Sequence, residues 1–194
     1  TLLARTTAFG YYDHNHLMAL ERVTDHLAVP SNRVPRQRLW SIRAKQVVLA
    51  TGAIERPLVF RDNDRPGIML AGAAHEYLIR YGVKVGARAL VFTGNDTAYR
   101  TAISLARAGV EVSSIDLRTE TPGALPQAAL QEGVEILHGY AVASTHGRMR
   151  IEAVDAMALS KDGLSVSGTP HRKDCDVLLM SGGWNPTVHL FSQS

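Results

Sequence analysis

The chain has 194 residues, 45% of them apolar and 20% charged, which is ordinary globular composition and too apolar for a disordered chain. Its 21 Lys and Arg against 18 Asp and Glu leave a net charge of +3 with no run of like charge, so a nucleic-acid partner is not expected. The only cysteine, Cys175, excludes an internal disulfide framework and points to a reducing, cytoplasmic setting, and no stretch approaches the ~18 apolar residues of a membrane helix.

The first 46 residues read as an antiparallel β-meander. Its predicted strands are Leu2 to Phe9, Leu17 to Val23 and Arg38 to Ile42, with a loop marked by Pro30, Ser31, Asn32 and Pro35. The chain starts at Thr1 with no basic-then-apolar leader, so it is expected to be part of a longer protein. Val47 to Ala50 is a continuous apolar run, the pattern of a strand buried on both faces, and Thr51-Gly52-Ala53 ends it. A polar loop from Arg61 to Pro66 reads as a crossover between structural units. Ile68 to Tyr81 has helical character, with Met69, Ala73, Tyr77 and Tyr81 on one stripe and Gly82 as the stop.

Arg88 to Thr93 is the next buried strand. Gly94-Asn95-Asp96 turns the chain, Thr97 to Ala108 is a helix closed by Gly109, and Val110 to Leu117 is a strand. Strand, tight turn, helix, Gly, strand is a βαβ unit. Ala124 to Glu132 is a further helix and Val134 to Leu137 a short strand. Gly139 to Thr145, Arg150 to Leu159 and Leu164 to Ser167 read as antiparallel, with turns at His146-Gly147 and Asp162-Gly163. Asp176 to Met180 is another apolar run, followed by Ser181-Gly182-Gly183-Trp184-Asn185-Pro186.

The βαβ unit carries the main chemical signal. A dinucleotide site needs a sharp turn after the first strand and a helix N-terminus aimed at the pyrophosphate. Gly94 holds the first glycine position of the Gly-x-Gly-x-x-Gly pattern, but Asp96 and Tyr99 hold the second and third. Asp96 either sets a carboxylate beside the pyrophosphate or serves as helix N-cap. Tyr99 would hold helix and strand further apart than Gly. The phosphate-binding candidates are therefore Gly94, Asn95, Asp96, Thr97, Ala98 and Tyr99. Asp116 lies 22 residues beyond Gly94, where an acidic residue accepts the ribose hydroxyls of NAD; Arg118, two residues on, is the residue type that holds a 2′-phosphate. Thr51-Gly52 and Gly182-Gly183 each follow an apolar run, and such turns suit a cofactor crevice at strand carboxyl ends. The alternative is a Rossmann unit that packs without binding a ligand.

His14 and His16 would share one face of a strand, but no further ligand at useful spacing supports a metal. Cys175 sits between Asp174 and Asp176, which disfavours a thiolate nucleophile. There is no Cys-x-x-Cys and no Gly-x-Ser-x-Gly.

Longer motifs are more specific. Ala50-Thr51-Gly52-Ala53-Ile54-Glu55-Arg56-Pro57, then Phe60-Arg61-Asp62-Asn63-Asp64-Arg65-Pro66-Gly67, resemble the alpha subunits of heterotetrameric sarcosine oxidase. Arg5 to Asn15 (Arg-Thr-Thr-Ala-Phe-Gly-Tyr-Tyr-Asp-His-Asn) and Thr93 to Tyr99 share the likeness, and subunits of opine and proline dehydrogenases share much of it. The resemblance implies an α/β, Rossmann-like FAD/NAD(P)-binding fold of glutathione-reductase type, a parallel sheet with an antiparallel β-meander. It implies residues 1–57 as part of an FAD-type domain, 58–173 as an inserted NAD-type domain, and 174–194 as the return. It further implies NAD on this portion, FAD and FMN elsewhere in the parent complex, and the other subunits of a heterotetramer as partners. The amine-oxidising flavin belongs to the beta subunit in that family, so no catalytic residue is expected here.

Overall fold

In a computed structural model, which describes residues 1–193, the chain divides into two compact units. One comprises Thr1–Ile54 with the residues from Pro186 onward; the other is Glu55–Asn185.

The first unit holds the meander. Strands β1 (Thr6–Tyr12), β2 (His16–Arg22) and β3 (Gln37–Arg43) pair antiparallel in that order. Glu21 and Arg38 stand directly opposite in register and form an ion pair at 3.0 Å, and Glu21 also accepts the Trp40 indole N–H at 2.8 Å. Such cross-strand pairs fix register where one face has little core to do so. His14 and Asn15 take left-handed φ values of 59° and 52° in the β1–β2 turn, so His14 does not share a strand face with His16. The strand expected at Val47–Ala50 is not formed. No strand lies alongside it among the described residues, and Val48 is 91% exposed. An apolar run becomes a buried strand only where neighbours supply both ladders and both faces.

β4 (Ala53–Glu55) leads into the second unit, whose first sheet strand is β5 (Ile68–Leu70), followed by α1 (Ala71–Tyr81). The expected helix from Ile68 therefore loses its first three residues to a strand. The buried side of α1 is Ala71, Ala74 and half-buried Leu78, while Tyr77 and Tyr81 face out. Then follow β6 (Arg88–Thr93), α2 (Ala98–Arg107), β7 (Glu111–Asp116), α3 (Ala124–Gln131) and β8 (Glu135–His138). The antiparallel strands β9 (Tyr140–His146), β10 (Ala153–Leu159) and β11 (Val166–Asp174) come next, and β12 (Val177–Ser181) and β13 (Trp184–Pro186) close the series. β11 is longer than its predicted Leu164–Ser167; it is exposed, and its Pro170 sits where an edge strand tolerates a missing donor.

The central sheet is parallel, in the order β5-β12-β6-β7-β8, and β13 pairs with β4. Continuous apolar runs in β6 and β12 match burial on both sides. Ala89, Val91, Val177 and Leu179 pack on the helices through Tyr99, Ala102 and Leu105. Leu90, Phe92, Ile115 and Leu178 pack on Val142, Val154 and Ala156 of the antiparallel sheet. β12, the last of these strands in sequence, is seated between β5 and β6. That seating places β12 in the compact unit Glu55–Asn185. No helix among the described residues is long and apolar enough to cross a membrane.

Leu178 is fully buried at the middle of the sheet, so Leu178→Ala is expected to destabilise by about 2–5 kcal/mol. Val48→Ala is expected to shift stability by no more than about 0.5 kcal/mol, because nothing covers it. Denaturant titration of the two variants checks both; a large loss at Val48 would restore the buried strand.

Candidate functional site

The carboxyl ends of the parallel strands bear a polar row. Ser181 pairs with Thr93, Thr93 with Asp116 and Asp116 with His138. Ser181, Thr93 and Asp116 are fully buried, so each polar atom needs a partner within the protein. The Thr93 hydroxyl accepts the Asn95 N–H at 3.0 Å and lies 3.2 Å from the Ser181 carbonyl. Asn95 donates through Nδ2 to the carbonyl and hydroxyl of Ser181, both at 3.1 Å. Its Oδ1 accepts the Thr97 backbone N–H at 3.1 Å and the Thr97 hydroxyl at 2.5 Å. The Thr97 oxygen in turn accepts the Trp184 indole N–H at 2.8 Å. The turn that opens α2 is thereby tied to the turn that leaves β12.

Asp116 is the one charged group of this row. Its carboxylate accepts the Tyr99 hydroxyl at 2.7 Å, the Arg118 backbone N–H at 2.9 Å, and Arg118 Nε and Nη2 at 3.0 and 2.9 Å. Arg118 Nη1 reaches Asp96 at 2.7 Å. Hydrogen bonding to Asp116 raises the Arg118 pKa further, against the opposing effect of burial. Burial, then the hydrogen bond to Asp116, push the Tyr99 phenol well above its ordinary value. Tyr99 thus stands in a glycine position of the dinucleotide pattern without being left over: its ring is buried and its hydroxyl bonds Asp116. Asp96 is not an N-cap, contrary to that expectation. The cap residue is Thr97, and the Asp96 carboxylate is drawn to Arg118 and lies against Gly123, where a Cβ would collide with it.

Between the first turns of α1 and α2 lies a crevice of about 640 Å³, bordered by Glu55, Leu70, Ala73, Thr97, Arg100 and Trp184. Glu55 is buried and accepts the Gly72 N–H at 2.8 Å. Gly182 and Gly183 exchange backbone hydrogen bonds with Arg56 at 2.7 and 2.9 Å. A Cβ at Gly182 would lie only 3.0 Å from the Pro57 carbonyl, so this glycine serves a close backbone approach. Gly94 and Ala98 flank the Asn95–Thr97 turn. Thr51 and Gly52 belong to the other unit, where they bond Thr187 at 2.6 and 3.0 Å.

Sequence reasoning missed Trp184, Glu55 and Arg100 as parts of one crevice, and missed the roles of Thr93 and Ser181. The last two carried a signal: each is a hydroxyl residue ending an otherwise apolar strand. Cys175 is buried in the core beneath the sheet; burial, then the neighbouring Asp176 and Asp174, push its thiol up to about 12.

Arg118→Ala leaves a fully buried carboxylate without its cation. It should cost about 3 kcal/mol, the low end for breaking a buried pair, because Arg118 is itself a third exposed. Tyr99→Phe should cost about 1 kcal/mol. Calorimetric or denaturant unfolding checks both, and a neutral Arg118→Ala would show that solvent reaches Asp116. For Cys175 the folded pKa lies above the unfolded value, so its contribution is complete below about pH 8.5 and is lost as pH rises towards 12. Cys175→Ala is therefore expected to flatten the alkaline loss of stability between those limits, measured as unfolding free energy against pH.

No family model matches the chain. Sarcosine oxidase subunit alpha of Corynebacterium sp. (strain U-96) is 47% identical over 194 residues, covering 100% of this chain and 20% of that protein. The Rhizobium meliloti (strain 1021) subunit is 42% identical, covering 97% of this chain and 18% of its own length. Among solved structures, Lactococcus lactis thioredoxin reductase superposes with a TM-score of 0.63 at 18% identity, over 96% of this chain and 55% of that one. L-proline dehydrogenase from P. horikoshii gives 0.59 at 23% identity, over 97% and 29%. These structures show a fold shared with FAD/NAD(P)-binding oxidoreductases, as the motifs implied. The chain spans about a fifth of the length of the curated relatives it matches, and over that stretch it is similar to sarcosine oxidase alpha subunits.

Proposed function

We propose that the chain is the NAD-holding portion of an oxidoreductase alpha subunit whose parent complex oxidatively demethylates sarcosine to glycine. On this reading residues 55–185 form the NAD-type domain, the meander unit is part of an FAD-type domain, and FAD and FMN lie elsewhere in a heterotetramer.

The observation that carries the reading is the ion pair of Asp96 with Arg118. A carboxylate in the second glycine position would repel a pyrophosphate, but here it is neutralised and turned towards Gly123. The first turn of α2 keeps the positive end of the helix dipole, which suits an anion. Asn95 to Ala98 would hold the pyrophosphate and Gly94 allows the tight turn. Asp116 is too buried to meet a ribose hydroxyl directly. At that end Arg118, held by Asp116, is the group that solvent reaches, so the ribose contact passes to it. NAD, when bound, supplies a nicotinamide ring able to accept hydride; the residues here bind and orient it. A second reading, a ligand-free scaffold, is favoured by the same burial of Asp116.

Calorimetric titration of the purified chain with NAD is expected to show stoichiometric binding, weakened about ten-fold by Arg118→Gln, the loss of roughly one charge-assisted hydrogen bond. Sarcosine-dependent peroxide release by the same chain, with FAD, FMN and NAD added, is expected not to exceed a no-protein control. Absence of NAD binding would leave the scaffold reading standing; sustained turnover would place the active site on this chain.

A further inference from the structure

Trp184 lies in the short strand that follows β12. Its indole N–H is fixed to Thr97 at the first turn of α2. Its far edge reaches the first turn of α1, where a Cβ on Gly72 would lie 3.5 Å from indole Cη2. The ring therefore spans the crevice between the two helix starts while remaining 45% exposed. An indole face carries negative quadrupole potential and attracts a flat cation. Glu55 and Glu76 border the same crevice, against Arg100 as its one arginine. An aromatic platform beside two carboxylates is the chemistry that recognises a planar, positively charged heteroaromatic ring.

We propose that Trp184 is a specificity-determining residue that binds the pyridinium ring of oxidised NAD. The proposal rests on the NAD reading above and adds which end of the molecule, and which redox state, the crevice takes. The pyrophosphate at Asn95–Ala98 adjoins Thr97, and Thr97 adjoins Trp184, so one ligand reaches both. The reduced ring is neutral and no longer aromatic, and ADP-ribose has no ring there; both forfeit the attraction.

The test is titration calorimetry of the purified chain with oxidised NAD, NADH and ADP-ribose. Oxidised NAD is expected to bind about ten-fold more tightly than ADP-ribose, with NADH closer to ADP-ribose. Trp184→Ala is expected to reduce the NAD affinity to that of ADP-ribose and leave ADP-ribose unchanged, and Trp184→Phe to retain most of the difference. In a Trp40→Phe background, the remaining Trp184 fluorescence is expected to be quenched by oxidised NAD and not by ADP-ribose. This measurement and Trp184→Phe decide the question if Trp184→Ala does not fold. Equal affinities for NAD and ADP-ribose in the unsubstituted chain overturn the role of Trp184 while leaving the dinucleotide site intact. Parallel loss of both ligands in Trp184→Ala also overturns it, since the residue would then act only through Thr97. Failure of all three ligands to bind overturns this proposal and the NAD reading together.

Discussion

A carboxylate with no solvent exposure, Asp116, sits at the end of the third strand of a parallel sheet. Burying an unpaired charge costs several kcal/mol even after relaxation, so the surrounding chain is obliged to satisfy it. Tyr99 and Arg118 do so, and each answer constrains a further part of the structure. Tyr99 draws the first turn of α2 onto β7. Arg118 bends the loop after β7 back over its own strand end and extends its remaining edge to Asp96. Asp96 in turn packs against Gly123 at the start of α3. One buried charge thus relates the phosphate-type turn, the loop after β7 and the next helix.

The same arrangement decides between two uses of Asp116. As a ribose acceptor it would have to surrender the bidentate hydrogen bonds of Arg118. A ribose hydroxyl pair offers neutral donors, worth roughly half of charge-assisted ones. The exchange is unfavourable, so Asp116 serves here as the anchor of Arg118. This also accounts for the departures from the glycine pattern as a set. Asp96 and Tyr99 look like independent losses in the sequence, but in the fold they are the two further partners of one Asp–Arg pair. Substituting either back to glycine would remove a partner without freeing Asp116.

The βαβ unit from β6 to β7 was legible because apolar runs, a glycine turn and a strongly amphipathic helix all agree there. Local agreement failed at two places. Val47 to Ala50 has the composition of a buried strand, but strand formation depends on partners that composition does not encode. Ile68 to Leu70 was absorbed into the following helix because three apolar residues fit either period, and only the ladder to Leu178–Met180 settles them as strand. The position of Asp116 at a strand end was legible as well. Its burial was not, because Tyr99, Arg118 and Asp96 point at it from three segments. The crevice was the least legible part: Glu55, Thr97 and Trp184 are far apart in sequence, and each is unremarkable alone.

That separation follows from the seating of β12. The strand arrives last in sequence yet lies between β5 and β6, and Trp184 follows it by three residues. Without β12 in place, β5 has no ladder among the described residues, the Asn95 amide loses Ser181, and Thr97 loses Trp184. The crevice is therefore not a loop feature laid on a finished sheet. It shares its contacts with a strand pairing of long sequence separation, and such pairings carry a high chain-closure cost. A molecule bound against Thr97 and Trp184 would touch the α2 turn and the segment after β12 at once, and by linkage its binding free energy would add to the stability of their association. Any coupling between a ligand in this crevice and the fold would run through β12, by way of the hydrogen bonds from Trp184 to Thr97 and from Asn95 to Ser181.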